Sequence, residues 1–464
     1  MDQSGKVAAV AGRIRDMVHS GTLHAGDALP STRALATQLG VARGTVVTAY
    51  EQLDGEGYIR TRQGAAARVV SDVPVGIAPH APATPAGERA PVGPIIDLRP
   101  GIPAVTAFPA REWRAAWRAA AELPHENALS DALGSPALRE QIATLGLSRG
   151  FVPDPSRVIV SAGTSEALSL ITDAFRSLHG RDPLFAIEDP GYRSGRRAIL
   201  GSGGKVVGIP VTDDGLDLTA LESSSRRFGT PDAVMVTPTH QYPLGSVMPV
   251  ANRRRLLEWA AANRMIVIED DYDSEFRHRG VPMPALASLD VEGVVLHLGG
   301  FSKVLDPRLR CAYLVLPAPA EGAGAGAAAA VRAARAARGP VVSEVTQQAI
   351  AHLIRTGALR RHLGRVRRDY VHRRDRIAAR LADASIPELE VHALAGGLHA
   401  VLKWDQSDAT TVRKRLARTG ILVEELANYA TTPETELNGL VLGYGAVSMT
   451  ELDRALDAIL GELG

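Results

Sequence analysis

Residues 71–94, SDVPVGIAPHAPATPAGERAPVGP, hold six prolines and almost no large apolar side chain. Such a stretch has too little apolar surface to offset the entropy of ordering, so it reads as a semi-rigid linker. The 464-residue chain is thereby cut into a 70-residue part and a 370-residue part, and each must bury a core of its own. The single cysteine, Cys311, rules out an internal disulfide framework and any multi-cysteine zinc or iron–sulfur site, which points to a reducing cytoplasm. The apolar run before Arg13 is too short for a signal peptide, and no run of 18 apolar residues offers a membrane span, so the chain is expected to be soluble and without a membrane partner.

In residues 1–70, Leu29-Pro30-Ser31-Thr32-Arg33 sets capping hydroxyls before the apolar-periodic ALATQLG, and Gly40 closes that helix. A second helical pattern, GTVVTAYEQLDGEGY, follows VAR, so two short helices across a tight turn form a helix-turn-helix. Arg60, Arg62 and Arg68 then fall in a β-like stretch around Gly64, the place of a wing. The module has eight basic against six acidic residues, too even a balance to imply DNA binding. Placement carries that reading: Arg33 starts one helix, Arg43 precedes the next, and Thr45 and Thr48 are expected on its exposed first turns, where a recognition helix reaches phosphates and base edges.

From residue 95 onward, short apolar runs alternate with amphipathic segments. Candidate strands are 158–160, 184–187, 206–211, 233–237, 265–269, 294–298 and 312–316, the pattern of an α/β domain with a mainly parallel sheet. Residues 318–338 read as an interdomain connection leading into an Ala-rich helix, and the remainder as a smaller α+β lobe. The expected divisions are a large lobe at about 125–317 and a small lobe at about 340–464.

Four motifs lie at strand ends. Ser161-Ala162-Gly163-Thr164-Ser165-Glu166 opens a helix after a strand, where free N–H groups and the helix dipole suit a phosphate. Glu188-Asp189-Pro190-Gly191-Tyr192 places a tyrosine to stack on a flat ring. The run from Glu269 to Glu275 carries five carboxylates in seven residues after an apolar strand; at least one should face a crevice, where it needs a cationic partner. Gly299-Gly300-Phe301-Ser302-Lys303, with Arg310 seven residues on, sets one of only five lysines in the chain at a strand end, where burial can turn its amine into a nucleophile.

In their order these motifs resemble the fold-type I, aspartate-aminotransferase-like pyridoxal-phosphate domain over roughly residues 95–464. LPSTRALATQLGVARGTVVTAYEQLDGEGYI resembles the winged helix of GntR-type transcription factors, departing from it at Ala42 and at the wing tip Gly64-Ala65-Ala66-Ala67. With THQYPLGSVM, EDDYDSEFR and FSKVLDPRLR behind that module, the whole is similar to the MocR/GabR family of regulators. The resemblance implies that Lys303 binds pyridoxal phosphate as a Schiff base, that Asp270 pairs with the pyridine nitrogen, and that Tyr272 donates to the ring hydroxyl. Tyr192 would stack on the ring, and Gly163, Thr164, Ser165, Ser302 and Arg310 would hold the phosphate. Tyr242 stands in the slot of an asparagine that touches the ring hydroxyl in aminotransferases.

The chain departs from aminotransferases at two further positions. Leu129 replaces a tyrosine that reaches the phosphate of the partner subunit. Val441, in Leu440-Val441-Leu442-Gly443-Tyr444, replaces the arginine that grips a substrate α-carboxylate. The expected function is a homodimeric transcriptional regulator that binds operator DNA and senses pyridoxal phosphate, alone or with an amine or amino acid, in vitamin B6 or amine metabolism. The alternatives are a working aminotransferase that carries a DNA-binding domain, and a scaffold that only dimerises the winged helices.

Overall fold

The computed structural model describes residues 3–62, 65–70, 95–124, 127, 129–276, 283–318, 322–384, 386–405, 407–431 and 437–463. The chain forms two compact units, Met1–Ala90 and Pro91–Gly464. The linker assigned to 71–94 lies outside the described residues, as does the wing-tip Gly64.

In the first unit, helices Gln3–His19, Thr32–Leu39 and Arg43–Gly55 precede a two-stranded antiparallel hairpin in which Ile59 pairs with Val69. The capping expected from sequence is present: Ser31 Oγ accepts the Ala34 N–H at 3.2 Å, and Gly40 ends the helix at φ 63°. Val10, Ile14, Leu35, Val46, Ala49, Tyr50, Leu53 and Ile59 close a separate core around these helices.

One expectation is overturned here. Thr45 is not on an exposed turn but only 2% exposed, because it shares a helix face with Ala49, four residues on and fully buried. Arg43, Gly44, Thr48 and Glu51 form the exposed side of that helix, and Arg33 and Arg62 are exposed as well.

The second unit is built on an eight-stranded sheet in the spatial order Val158–Ser161, Ala312–Val315, Val295–Gly300, Ile266–Asp271, Ala233–Val236, Leu184–Asp189, Lys205–Thr212 and Gly215–Leu216. All run parallel except Ala312–Val315, which is antiparallel to both neighbours, and Gly215–Leu216, which folds back on the preceding strand. The central strands are buried on both faces, which is why they read as unbroken apolar runs.

The Ala-rich segment is not a bare connection. Helix Ala323–Arg338 buries Ala327 and Val331 in one cluster with Leu168, Ile171 and Phe175 of helix Thr164–His179, and its Arg335 meets Glu166 at 2.7 Å. Small residues in that helix permit the close packing that low complexity disguised.

A second, antiparallel sheet orders Glu390–His392, His399–Lys403, Gly439–Gly443 and Glu424–Glu425. Ile96–Asp97 pairs in parallel with Ile421–Leu422, so the chain enters this unit beside its last third.

Candidate functional site

The carboxyl ends of the parallel strands converge on one cavity of about 200 Å³. Gly163, Thr164, Ser165, Tyr192, Asp270, Tyr272, Ser302, Lys303 and Arg310, nine residues drawn from four separated motifs, all line it. Tyr242, Gly300 and Pro307 complete the lining.

Lys303 follows strand Val295–Gly300, and its Nζ donates to the Gly101 carbonyl at 2.6 Å. Burial disfavours the ammonium form and brings this amine down to about 8, a fall that the nearby Asp273 and Asp270 partly oppose. An amine that loses its proton this readily is available as a nucleophile near neutral pH.

Strand pleating sorts the run of acids. Glu269 is fully buried and accepts the N–H groups of Leu286 and Ala287 and His297 Nδ1, at 2.6, 3.0 and 2.9 Å. Asp271 accepts two bonds from Arg149, at 2.8 and 2.9 Å. Asp273 contacts His240 at 2.9 Å. Asp270, between two paired neighbours, points to the other face and lines the cavity with no ion-pair partner among the described residues. Burial, reinforced by Asp271, Glu188 and Asp273, pushes its carboxyl up to about 7. A cation set against it would restore the carboxylate.

Helix Thr164–His179 begins at the cavity, with Gly163 at φ 97° preceding it. A Cβ at 163 would lie 3.1 Å from Arg310 Nη2, so glycine lets the guanidinium lie across the free N–H groups of the first turn. Arg310 has no carboxylate partner among the described residues, leaving its charge free for an anion. An amine, an unpaired buried carboxyl and an anion cradle therefore face one another, which is the donor set that pyridoxal phosphate requires.

Val441 is fully buried and packs with Val401, Leu426 and Tyr429, against which Tyr242 and Leu244 also lie. Tyr242 donates to the Tyr429 hydroxyl at 3.2 Å. The position at which the resemblance sets a carboxylate-gripping arginine is here packed among apolar and phenolic groups. Leu129 stands 87% exposed and is not among the residues that line this cavity.

Sequence reasoning passed over four participants. Gly101 meets Lys303 across 202 positions. Glu188, buried and raised to about 7, accepts the Thr237 N–H at 3.1 Å and its hydroxyl at 2.5 Å, beside the loop that carries Tyr242. His240 and Asp273 lie directly behind Tyr272. The acid run did signal that some carboxylates needed partners; nothing in it named them.

Comparison with known proteins agrees with this architecture. Residues 94–459 match the family model "Aminotransferase class I and II", and residues 6–69 match "Bacterial regulatory proteins, gntR family". The chain belongs to the MocR/GabR-type regulators. Among members of this family, the chain is 38% identical to the HTH-type pyridoxine biosynthesis transcriptional regulator PdxR of Corynebacterium glutamicum, covering 94% of this chain and 90% of the relative. It is 31% identical to the probable rhizopine catabolism regulatory protein MocR of Rhizobium meliloti, covering 96% and 91%. The second unit of this MocR/GabR-type chain has the fold of solved aminotransferases. A kynurenine aminotransferase from Pyrococcus horikoshii superposes with a TM-score of 0.70 at 24% identity, covering 80% of this chain and 91% of that one. An archaeal alanine:glyoxylate aminotransferase gives 0.72 at 22%, with the same coverage. At such identity the likeness speaks for the fold alone. Among the described residues, no helix is long and apolar enough to cross a membrane.

Proposed function

We propose that this protein is a DNA-binding transcriptional regulator whose aminotransferase-like domain binds pyridoxal phosphate and reads its presence, alone or with an amine or amino-acid effector. The observation that carries this reading is the one cavity in which the Lys303 amine, the unpaired Asp270 carboxyl and the Arg310 guanidinium meet. When bound, the cofactor supplies an aldehyde for covalent attachment and an electron-poor ring.

Lys303 would hold the aldehyde carbon, and Asp270, regaining its charge, would keep a proton on the ring nitrogen. Tyr192 would cover the ring, Tyr272 would serve its oxygen, and Gly163, Thr164, Ser165, Ser302 and Arg310 would hold the phosphate. Val441 argues against amino-acid turnover, because an α-carboxylate finds no guanidinium in the apolar cluster around it. The name of the Corynebacterium relative favours genes of vitamin B6 metabolism as targets. We place the protein in the cytoplasm as a homodimer with domains at 1–70 and 95–464 joined by a linker at 71–94. Arg33, Arg43, Thr48 and Arg62 are its proposed DNA contacts.

Adding pyridoxal phosphate to the purified protein should produce a visible absorption band that borohydride bleaches, and Lys303→Ala should abolish it. The cofactor should also change affinity for the DNA upstream of the genes it controls. Arg43→Ala should weaken that affinity and flatten the slope of log K against log salt by about one, as one phosphate contact is lost. A colourless protein whose DNA affinity ignores the cofactor would overturn the proposal.

A further inference from the structure

The chain enters the second unit along a short backbone ladder and then passes beside the cavity. The Ile96 N–H donates to the Gly420 carbonyl and the Leu98 N–H to that of Leu422, both at 2.8 Å, and the Leu98 carbonyl accepts the Gly443 N–H at 2.6 Å. Further on, the Ala104 N–H donates to the Tyr370 hydroxyl at 2.9 Å. Between these anchors, Pro100-Gly101-Ile102-Pro103 makes a single hydrogen bond to any described residue outside 95–107. It is the 2.6 Å bond from Lys303 Nζ to the Gly101 carbonyl. We propose that this bond is a latch: the free Lys303 amine ties down the entry segment 96–103, and attachment of pyridoxal phosphate releases it, so that the segment next to the linker reports the cofactor. The proposal rests on the reading of the cavity as a pyridoxal-phosphate site.

Latch and attachment draw on the same hydrogens. The ammonium first gives one proton to solvent; the neutral amine then forms a C=N double bond to the aldehyde carbon, and its two hydrogens leave with the aldehyde oxygen as one water. Nζ thereby changes from a rotating group with three donor hydrogens into a planar nitrogen that can regain only one. The ring hydroxyl beside the aldehyde takes that one, and the Gly101 carbonyl loses its donor.

The segment is shaped for this contact and for no substitute. Gly101 sits at φ 91°, and a Cβ there would lie 2.5 Å from Lys303 Nζ, so another residue would strain the turn and push the amine aside. Pro100 and Pro103 have no N–H with which to make up a lost bond. Below them, a Cβ at Gly443 or Gly445 would collide with the carbonyls of Arg99 and Ile102, so this support is bare backbone without a side chain that could grip the segment. Once Gly101 is let go, the three bonds at Ile96, Leu98 and Gly443 are what holds the entry, and so short a ladder opens locally at small cost.

The test is amide hydrogen exchange on the full-length protein, with DNA affinity measured beside it. Loading wild type with pyridoxal phosphate should make the Ile96, Leu98 and Gly443 amides exchange about tenfold faster, the factor that one hydrogen bond of ordinary net strength carries. The first turn of helix Thr164–His179 should slow on loading, as its N–H groups gain the phosphate. Lys303→Met has no donor and cannot attach the cofactor. It should show the fast entry segment without cofactor, with no slowing at 164–166, and its DNA affinity should match that of loaded wild type and ignore added pyridoxal phosphate. Lys303→Arg cannot attach the cofactor either but keeps donors for Gly101, and its entry segment should exchange slowly, as in cofactor-free wild type. A slow entry segment in Lys303→Met, or a DNA affinity there equal to that of cofactor-free wild type, would overturn the latch. A wild type that gains no visible band and no change in DNA affinity would instead remove the cofactor reading, and the latch with it.

Discussion

Asp270 and Lys303 are each held away from the charge they would carry in water, and this ties cofactor binding to stability. The Asp270 carboxyl rises from 3.8 to about 7, so over that interval the unfolded chain has given up a proton that the folded chain retains, and stability falls as pH rises. The Lys303 amine falls from 10.5 to about 8, so between those values the unfolded chain holds the extra proton and stability rises with pH. The unloaded protein is therefore penalised most between pH 7 and 8. Asp270→Asn should stabilise it there by roughly 2 kcal/mol, a value discounted for coupling among the neighbouring acids, while weakening pyridoxal phosphate at least tenfold. Calorimetry without cofactor at pH 7.5 and pH 5 checks the sign: the gain should shrink at the lower pH, and a variant less stable at both would refute the account. Lys303 itself stood out from sequence as one of five lysines in an arginine-rich chain. Its Gly101 carbonyl partner did not, because a contact across 202 positions is made by chain closure and leaves no local pattern.

At the scale of elements, the strands that carry the site were readable because burial on both faces writes them as continuous apolar runs. Their direction was not: periodicity is the same whichever way a strand points, so the reversal of Ala312–Val315 within a parallel sheet has no signature. Face assignment on the helix Arg43–Gly55 failed at Thr45 for a related reason, since a hydroxyl near a helix start fits a phosphate contact or a packed turn equally well. Helix Ala323–Arg338 matters more than its composition implied. Its Arg335, fully buried, holds Glu166 in the first turn of the helix whose start faces the cavity, and Glu166 in turn accepts the Ala162 N–H at 3.2 Å. Glu166→Gln would strand a buried guanidinium and should cost roughly 3 kcal/mol; Glu166→Gln/Arg335→Met removes both charges and should recover most of it. Denaturant unfolding decides the matter, and a double variant as unstable as the single one would show that the charge pair is not the cause.

For the whole molecule, the two units have separate cores, and the two family matches leave residues 70–93 between them. In the proposed homodimer, each operator half-site is met by one winged helix, so the second contact is intramolecular and its strength depends on how the linkers span the sites. A 24-residue proline-rich linker reaches at most ~75 Å at about 3.1 Å per residue, and half of it only ~37 Å. Deleting twelve residues from 71–94 should leave the visible band and binding to an isolated half-site unchanged. Affinity for a DNA fragment with two half-sites should fall by about a hundredfold or more if the shortened linkers no longer bridge them, because avidity disappears when geometry forbids simultaneous contact. Binding isotherms on single-site and double-site fragments at one salt concentration separate the cases. Equal losses on both fragments would mean that the deletion damaged the winged helix itself. No loss on the two-site fragment would mean that the half-sites are engaged without the linker's full reach, and the proposed spanning role would be wrong.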